Sequence, residues 1–290
     1  MPGGDCTIEQ DWAAYSAEEH GIWRALFRRQ RRLLAGRATE EFRAGLGRFA
    51  MESDRIPDFR SLNEVLASAT RWRVVAVPGL VPDEVFFAHL AARRFPAARF
   101  IRRRAQFDYL EEPDIFHDVF GHVPMLLDPD FADFMQAYGV AGLAAQDAGA
   151  LRRLARLYWY TVEFGLIDTS AGLRIFGAGI VSSPAESVFA LDDPSPHRVG
   201  FRLERVMRTA YRIDDFQETY FVIDDATILH RAVTGDLRPV YAHLAGTPDL
   251  APAALDPGDV VFTRGTGAHA RARASRSARV IAPAEGSMMA

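Results

Sequence analysis

The chain has 290 residues, of which 49% are hydrophobic and 25% charged, a composition typical of a globular protein. Its net charge of −4 argues against a general nucleic-acid binder, and its one cysteine, Cys6, excludes an internal disulfide and a cysteine-built metal cluster. All 34 basic residues are arginine, which excludes mechanisms that need a lysine, such as a Schiff-base nucleophile or a phosphate-binding P-loop.

The first third of the sequence predicts helices separated by short connections. Ser16 and Glu19 have the spacing of a capping box, which predicts the start of a helix. The apolar residues that follow recur at helical spacing: Ile22, Trp23, Leu26 and Phe27. A second helix is predicted over residues 40–51. Ser61 and Glu64 form another capping-box pattern, which predicts a short helix ending near residue 68.

The central part begins with a predicted strand. Residues 72–77 are rich in valine and are followed by Pro78 and Gly79, which end a strand, and residues 98–102 predict a second one. Between them, Pro82 suits the first turn of a helix. The remaining elements are predicted as segments at 113–121, 129–147 and 149–164, the last of them helical, then strand and turn pieces at 173–183 and helices at 201–210 and 226–233.

These elements predict one mainly helical domain with short β-ribbons, over residues 15–245. Residues 1–14 are predicted to be a flexible N-terminus. We expect residues 246–290 to be a largely disordered extension, because from residue 264 onward large apolar side chains are nearly absent. No apolar run approaches the roughly 18 residues of a membrane span, and residues 1–10 show no secretory signal. We therefore expect a cytoplasmic protein with no membrane partner.

Two histidines five residues apart form the densest group of chemically capable residues. On an unbroken α-helix, His117 and His122 would lie about 140° apart, which is a poor arrangement for one metal ion. Gly121 and Pro124 loosen this constraint, because the helix can end there and turn His122 back towards His117. The H-x-x-x-x-H pattern is therefore possible as a metal site, although the spacing alone indicates it only weakly.

A single carboxylate, Glu163, lies in an aromatic stretch with the sequence L-Y-W-Y-T-V-E-F-G. Such a carboxylate is costly to bury unless it is paired or binds a metal. Together with the two histidines it would complete a facial triad, which suits non-haem Fe(II) and leaves coordination positions open. The alternative is that Glu163 pairs with Arg156 or Arg174 and that both histidines are structural.

Three long motifs resemble the pterin-dependent aromatic amino acid hydroxylases, most closely the bacterial members that act on phenylalanine. They are E-P-D-I-F-H-D-V-F-G-H-V-P at 112–124, L-Y-W-Y-T-V-E-F-G-L at 157–166 and F-G-A-G-I-V-S-S at 176–183. The resemblance extends over residues 15–241. It implies a single catalytic domain of this family, which uses Fe(II), a tetrahydropterin (tetrahydrobiopterin or a related pterin) and O2. It also assigns the iron ligands, which are His117, His122 and Glu163.

The resemblance implies a set of substrate contacts. Arg102 matches the arginine that holds the substrate carboxylate, a role that suits a planar guanidinium. The residues that match the wall of the aromatic pocket are Pro113, Trp159 and Phe164. Ser182 and Ser183 match a pair of which one orients an iron-bound histidine and the other lies near the substrate, and Glu186 lies in the same neighbourhood.

The pterin contacts follow from the same resemblance. Phe86 matches the aromatic residue that stacks on the pterin ring, and Gly79 and Val81 fall in the loop along the pterin edge. Tyr158 is implied to lie close by. Asp118 stands where animal relatives carry a glutamate, so it is expected to reach the pterin through water.

The iron ligands do not choose among phenylalanine, tyrosine and tryptophan as the substrate. Ile213 matches a position that is acidic in tyrosine-specific relatives, and an apolar residue there disfavours a phenolic hydroxyl. L-Phenylalanine is therefore the expected substrate, and tryptophan is the alternative. Two other classes remain open, a zinc hydrolase at the same triad and a non-catalytic helical module. Because the resemblance includes neither the regulatory domain nor the tetramerisation helix of the family, we expect an unregulated monomer.

Overall fold

Helices dominate the fold. The computed structural model describes residues 4–49, 54–108, 112–145 and 148–281. The α-helices in these ranges are α1 Ala17–Leu33, α2 Glu40–Arg48, α3 Phe59–Ala69, α4 Asp83–Ala91, α5 Pro129–Ala144, α6 Ala148–Tyr158, α7 Ala178–Ser182, α8 Pro184–Asp192, α9 Leu203–Arg208, α10 Thr227–Val233, α11 Arg238–Ala245 and α12 Ala268–Ile281. No helix in the described ranges combines the length and the apolar character that crossing a bilayer requires.

Two sheets accompany the helices, and they are more than isolated ribbons. The strands are β1 Arg73–Val77, β2 Arg94–Ala98, β3 Leu166–Thr169, β4 Gly172–Ile175, β5 His197–Gly200, β6 Thr219–Ile223 and β7 Val261–Thr263. β1 and β2 form a parallel pair, and the other five form a mixed sheet in the order β4-β3-β6-β5-β7. Within the described ranges, β3 and β4 are the one pair that forms a simple antiparallel hairpin. The prediction of a mainly helical domain with short strands is confirmed.

Capping residues decide where the first helices begin. The predicted capping box at α1 is confirmed, because the Glu19 amide donates to Ser16 Oγ (3.2 Å) and the Ser16 amide donates to Glu19 (2.7 Å). The one predicted at Ser61 is wrong. Asp58 caps α3 instead by accepting from the Arg60 amide, so the helix begins at Phe59. The Asp58 side chain lies one turn before Ser61, and it accepts from a free backbone amide at the N-terminus of the helix, so the helix begins before Ser61.

The second predicted strand is also displaced. β2 covers Arg94–Ala98 and not residues 98–102. Pro96 stands opposite Val75 in this strand. A proline is tolerated there because β2 has a partner on one side only, so its missing amide costs the sheet no hydrogen bond on the open side.

The N-terminal residues are held against the domain, which differs from the predicted flexible segment. The Ile8 amide donates to the Ala76 carbonyl of β1 (2.9 Å). Gln10 donates to the Pro57 carbonyl (2.8 Å), and the Trp12 indole donates to Ile56 (2.6 Å). The composition of residues 1–14 does not reveal these partners, because they come from segments more than 40 residues away.

In the described residues up to 281, the structure differs from the largely disordered C-terminal extension that the composition predicts. β7 adds a fifth strand to the mixed sheet by pairing with β5, and α12 follows it. Nearby, the fully buried Arg205 of α9 forms an ion pair with the buried Asp259 (2.9 Å). Polar anchors therefore order this segment where apolar area is scarce. The rest of the predicted extension, residues 282–290, lies outside the described ranges.

An aromatic core supports the segment that carries both histidines. Phe116 and Phe120 stack on each other with their ring centroids 4.7 Å apart. Phe116 meets Trp23 of α1 edge to face (5.4 Å), and Phe120 meets Phe27 of α1 (5.5 Å). All four side chains are buried. This packing fixes one face of the segment in the core and leaves the histidine face for the site.

Candidate active site

His117 and His122 lie on a π-helix that covers Phe116–His122. The backbone hydrogen bonds of a π-helix join residues five apart, so a step of five closes about one turn and places both histidines on the same face. Their Nε2 atoms are 3.3 Å apart. The expectation that the helix ends and turns back is therefore wrong. The helix widens instead, and in the wider π-helix two residues five positions apart are neighbours on one face.

A second π-helix, Trp159–Glu163, carries the carboxylate. It continues α6, and the Phe164 amide donates to the Trp159 carbonyl five residues earlier (2.9 Å). The Glu163 oxygens lie 3.2 Å from His122 Nε2 and 3.5 Å from His117 Nε2. The potential ligand atoms of the three residues all lie within 4.8 Å of one another. Two widened turns, Phe116–His122 and Trp159–Glu163, thus meet at one point although they are distant in the chain.

Glycines allow the backbone of the F-G-A-G-I motif to approach Glu163. A Cβ on Gly177 would lie 2.4 Å from the Glu163 carbonyl oxygen, and one on Gly179 would lie 3.2 Å from its side-chain oxygen. Neither position has room for a larger residue without moving this segment. The motif therefore holds α7 against the carboxylate.

The alternative in which Glu163 pairs with an arginine is wrong. Arg156 donates to Asp249 (2.6 Å) and to the Met207 carbonyl (3.1 Å). Arg174 donates to the neighbouring Leu173 carbonyl (2.8 Å). Both predicted partners are therefore engaged elsewhere, and the charge that Glu163 faces comes from the two histidines.

The electrostatics of the three side chains favour a positive charge at their centre. Burial raises the pKa of Glu163, but the adjacent His122 and His117 outweigh it and hold that pKa well below its usual range. Burial opposes protonation of His117, yet the Glu163 carboxylate raises its pKa to about 9. Burial lowers the pKa of His122. A bound metal ion would supply the positive charge that a proton supplies in its absence.

The distances fit a metal with three ligands on one octahedral face. Ligands at right angles, each about 2.1 Å from an ion, are about 3 Å apart. The three separations here are 3.2, 3.3 and 3.5 Å, so small side-chain shifts would bring the atoms to bonding distance. Two nitrogens and one carboxylate on one face form the set that suits non-haem Fe(II).

Ser182 fixes which nitrogen of His117 faces the centre. The Ser182 hydroxyl donates its only proton to the Ala178 carbonyl (2.7 Å), so it accepts from His117 Nδ1 (2.9 Å). Nδ1 then carries the proton and Nε2 presents its lone pair to the metal position. His122 is oriented by packing, since its ring lies 4.9 Å from that of Phe95 and its Nδ1 is buried without a partner in the described part of the chain.

The Ser182→Ala variant should bind Fe(II) about 10- to 100-fold more weakly. Without the hydrogen bond from Nδ1 to Ser182, the His117 ring can rotate and its proton is no longer held on Nδ1. Anaerobic titration with Fe(II) measures this affinity. Ser275→Ala is the control, because its hydroxyl donates only within α12, to the Arg271 carbonyl. Equal affinity of the Ser182→Ala variant and the parent protein would remove Ser182 from this role.

Comparisons with known proteins identify the family to which the chain belongs. A family model described as biopterin-dependent aromatic amino acid hydroxylase matches residues 10–234. The chain belongs to this family. It is 60% identical over 268 residues to the phenylalanine-4-hydroxylase of Caulobacter vibrioides, covering 92% of this chain and 91% of that protein.

Solved structures of the phenylalanine hydroxylase of Chromobacterium violaceum superpose closely. One contains iron(III) and the oxidised cofactor 7,8-dihydrobiopterin; it has a TM-score of 0.87 and 54% identity, and the match covers 90% of this chain and 94% of that one. Another contains iron and phenylalanine; its TM-score is 0.85 at 53% identity, covering 90% of this chain and 95% of that one. The fold of this hydroxylase family therefore extends through most of the chain.

Arg102 is buried and is not part of a solvated arginine cluster. It is 7% exposed, whereas Arg103 and Arg104 are exposed. Its Nε and Nη2 atoms each donate to Asp114 (2.9 Å), which is fully buried. Among the described residues Nη1 makes no hydrogen bond, which leaves one side of the guanidinium for a ligand. The role of Arg102 as the carboxylate grip stays a prediction.

Asp114 was missed by the sequence analysis, although it stands within the histidine motif. Besides Arg102, it accepts from the His117 amide (3.1 Å) at the start of the first π-helix. One carboxylate thus links the predicted substrate grip to an iron ligand. Its position three residues before His117 is the cap spacing that could have revealed it.

The predicted aromatic wall is assembled around Trp159. Its ring lies 4.7 Å from Phe164 and stacks on Tyr211 at 4.4 Å. Its indole NH donates to Gln217 Oε1 (2.9 Å). Pro113 is half-buried just before Asp114. Tyr211 and Gln217 were not identified from the sequence, because their elements reach Trp159 only in the folded chain.

Ser183 and Glu186 lie together at the start of α8. Ser183 caps this helix, since its hydroxyl accepts from the Glu186 amide (3.3 Å). Glu186 is buried, and the Tyr220 hydroxyl donates to it. Burial raises the pKa of Glu186 to about 7. Direct contact of either residue with the substrate stays a prediction.

Replacing Glu186 with glutamine should change how stability depends on pH. Because the folded-state pKa is raised above the usual value, the parent protein loses stability as pH rises through about 7, and the variant does not. Relative to the parent, the Glu186→Gln variant should gain up to about 3 kcal/mol of unfolding free energy above pH 7 and nothing below pH 4. Denaturant unfolding across this range measures it, with the exposed Glu204→Gln as control. A pH-independent difference would contradict the prediction.

The residues predicted to bind the pterin form a second aromatic group beside His122. Phe86 of α4 meets Tyr158 edge to face (5.6 Å), and Tyr158 stacks on the His122 ring (6.2 Å). Asp118 is buried and accepts from the Ala98 amide (2.7 Å), and burial raises its pKa to about 7. Tyr158 thus links Phe86 to a histidine of the cluster, and contact of these side chains with a pterin stays a prediction.

The loop that contains Gly79 and Val81 lies against Glu112. The Leu80 amide donates to Glu112 (3.4 Å), and a Cβ on Gly79 would lie 2.4 Å from the same oxygen. Val81 is half-buried. Glu112 opens the histidine motif and was not singled out from the sequence. Contact of this loop with a pterin stays a prediction.

Ile213 does not contribute to the pocket wall as the sequence suggested. It is 74% exposed, on the loop between Tyr211 and Gln217. The assignment of phenylalanine as the substrate therefore does not rest on the Ile213 side chain. It rests on the remaining pocket residues and on the similarity to phenylalanine hydroxylases.

Proposed function

We propose that the protein is a phenylalanine 4-monooxygenase that converts L-phenylalanine to L-tyrosine with O2 and a tetrahydropterin. The observation that carries the proposal is the facial arrangement of His117, His122 and Glu163 with separations of 3.2–3.5 Å. The phenylalanine-4-hydroxylase of Caulobacter vibrioides, at 60% identity, supports the substrate. Neither a tryptophan hydroxylase nor a zinc hydrolase has comparable support.

The protein's own residues bind and orient the reactants. Arg102 binds the amino-acid carboxylate, with Asp114 holding its guanidinium in place. Trp159 and Phe164 fix the benzyl ring so that its para carbon faces the metal. When bound, the iron and the tetrahydropterin activate O2 and supply two electrons, so that one oxygen atom enters the ring and the other leaves on the pterin.

Phe86 and Tyr158 provide the apolar surface on which the pterin ring packs. Ser182 keeps Nε2 of His117 free for the metal. The buried aromatic side chains around the centre exclude water, which protects the reaction from unproductive oxidation. No lysine is needed for any of these tasks, which agrees with the all-arginine composition.

Anaerobic reconstitution tests the proposal. The purified protein receives Fe(II), then phenylalanine, tetrahydrobiopterin and air, and tyrosine is measured. Tyrosine formation that requires both the pterin and O2 supports the proposal. An iron-loaded, folded protein that forms no tyrosine would overturn it. Tryptophan in a parallel reaction tests the alternative substrate, and a Zn(II)-loaded sample tests hydrolase activity without pterin.

We also propose that the enzyme works as a monomer in the cytoplasm. Fe(II) and a tetrahydropterin are both oxidised readily, so a reducing compartment suits them. Light scattering of the iron-loaded protein tests the monomer, and a mass twice that of the chain would contradict it. Fractionation of the producing cells tests the location, and recovery outside the cytoplasmic fraction would contradict it.

A further inference from the structure

The C-terminal helix α12 meets the loop of residues 211–217 through two charged contacts. His269 Nε2 lies 2.9 Å from Asp215 Oδ1. Arg273 pairs with Asp214, and its Nη1 lies 3.2 Å from Asp215 Oδ2. Two basic side chains one turn apart on the helix therefore contact two consecutive acids on the loop. We name His269 and Arg273 the α12 clamp.

The clamp is attached to a fixed part of the molecule. The His269 amide donates to Ser195 Oγ (2.9 Å), and the Gly267 amide donates to the Ser195 carbonyl (2.9 Å). The His269 ring lies 5.3 Å from Phe189 of α8 and 5.2 Å from Phe216, and these two rings stack on each other at 4.4 Å. The start of α12 thus cannot move without disturbing α8 and the segment before β5.

The other side of the loop holds the tryptophan of the substrate wall. Tyr211, at the beginning of the loop, stacks on the Trp159 ring. Gln217, at its end, accepts from the Trp159 indole NH and donates to the Arg212 carbonyl (2.9 Å) across the loop. Both the face and the edge of Trp159 are therefore in contact with this loop.

Apolar anchors hold the two ends of the loop, at Tyr211 and Phe216, and its middle has few. Ile213 is 74% exposed, and no regular helix or strand covers residues 212–217. A surface ion pair contributes little by itself, but a network of two acids with an arginine and a histidine restrains a loop more strongly. The clamp therefore restrains the middle of the loop, at Asp214 and Asp215, where those apolar anchors are lacking.

We infer that His269 and Arg273 are positioning residues for the aromatic ring of the substrate. They touch neither the metal position nor the predicted pocket, and act through the 211–217 loop on Trp159. This inference rests on the proposed function. It gives the C-terminal segment, which the composition predicts to be disordered, a part in substrate binding.

The test compares a clamp variant with a matched variant of the same helix. In the double variant His269→Ala/Arg273→Ala, the KM and the calorimetric Kd for phenylalanine should rise roughly three- to thirty-fold, as is typical of residues that act through others. Its kcat should stay within about twofold of the parent, because the iron ligands are untouched. The control Arg271→Ala/Ser275→Ala removes bonds that remain within α12 and its entry turn, and should leave both constants unchanged.

Two further measurements separate the possible outcomes. The Kd is measured on the anaerobic Fe(II) protein without pterin, so it reports substrate binding even if the parent protein formed no tyrosine and the proposed function failed. The single variant Arg273→Lys keeps the positive charge, so it should bind phenylalanine almost as tightly as the parent protein. The single variant Arg273→Gln keeps a polar side chain but loses the charge, so it should bind phenylalanine more weakly. If folded clamp variants bind phenylalanine as the parent protein does, or lose kcat with an unchanged KM, the inference is overturned.

Discussion

Replacing His117 with alanine is expected to lower the rate of tyrosine formation about a thousand-fold or more, because bound metal ions contribute several kcal/mol to catalysis and 1.36 kcal/mol is a factor of ten. The imidazole is one of three groups within 4.8 Å of the metal position. Its loss leaves one nitrogen and one carboxylate, which hold Fe(II) weakly. Iron content and tyrosine formation are the measurements.

His243→Ala is the matched control. This histidine is exposed on α11, with only a distant contact to Glu204 (3.8 Å), so its removal should change neither iron content nor rate. If the protein were a non-catalytic helical module, neither His117→Ala nor His243→Ala would change the iron content or the rate of tyrosine formation. A His117→Ala protein with a full complement of iron and the parental rate would exclude the assigned metal centre.

Replacing Arg102 with lysine is expected to raise the KM for phenylalanine about 10- to 100-fold, the equivalent of one charge-assisted hydrogen bond of about 1.5–3 kcal/mol. In the parent protein two guanidinium nitrogens are used by Asp114, and the third has no hydrogen-bond partner among the described residues. An ammonium group keeps the charge but cannot bind both carboxylates with the same geometry. Steady-state kinetics with varied phenylalanine measure the effect.

Arg103→Lys is the control for this prediction, because Arg103 is adjacent in sequence and exposed. It should leave the KM unchanged. Circular dichroism separates a binding defect from unfolding, since the Arg102–Asp114 pair is buried and also contributes to stability. A folded Arg102→Lys protein with the parental KM would show that another group binds the substrate carboxylate.

The grouping of His117, His122 and Glu163 could be predicted from the sequence because the chemistry restricts the residue types that form such a cluster. Glu163 is a lone carboxylate in an aromatic stretch, and such a group needs a partner. The two histidines and three long motifs then identified the family. The geometry was not predictable in the same way, because local propensities do not distinguish an α-helix from a π-helix. The widened turn at Phe116–His122 arises where stacked Phe116 and Phe120 pack on α1 and the histidines face the site.

The two ends of the chain show what the composition does not predict. Composition predicts disorder where apolar residues are scarce, and it ignores polar partners in distant segments. The Ile8 amide finds the Ala76 carbonyl of β1, and Arg273 finds two acids on the 211–217 loop. Each contact exists only after the intervening chain has folded.

The sequence by itself determined which chemical groups are available: two histidines five residues apart, one carboxylate in an apolar helix, arginine as the only basic side chain and no lysine nucleophile. The tertiary structure alone decided how they are used. It placed Asp114 against Arg102, which the family resemblance had already singled out from 34 arginines, and it brought Gln217 to Trp159. The physical reason is that a buried charge or polar group needs a partner, and the fold determines which segments supply one.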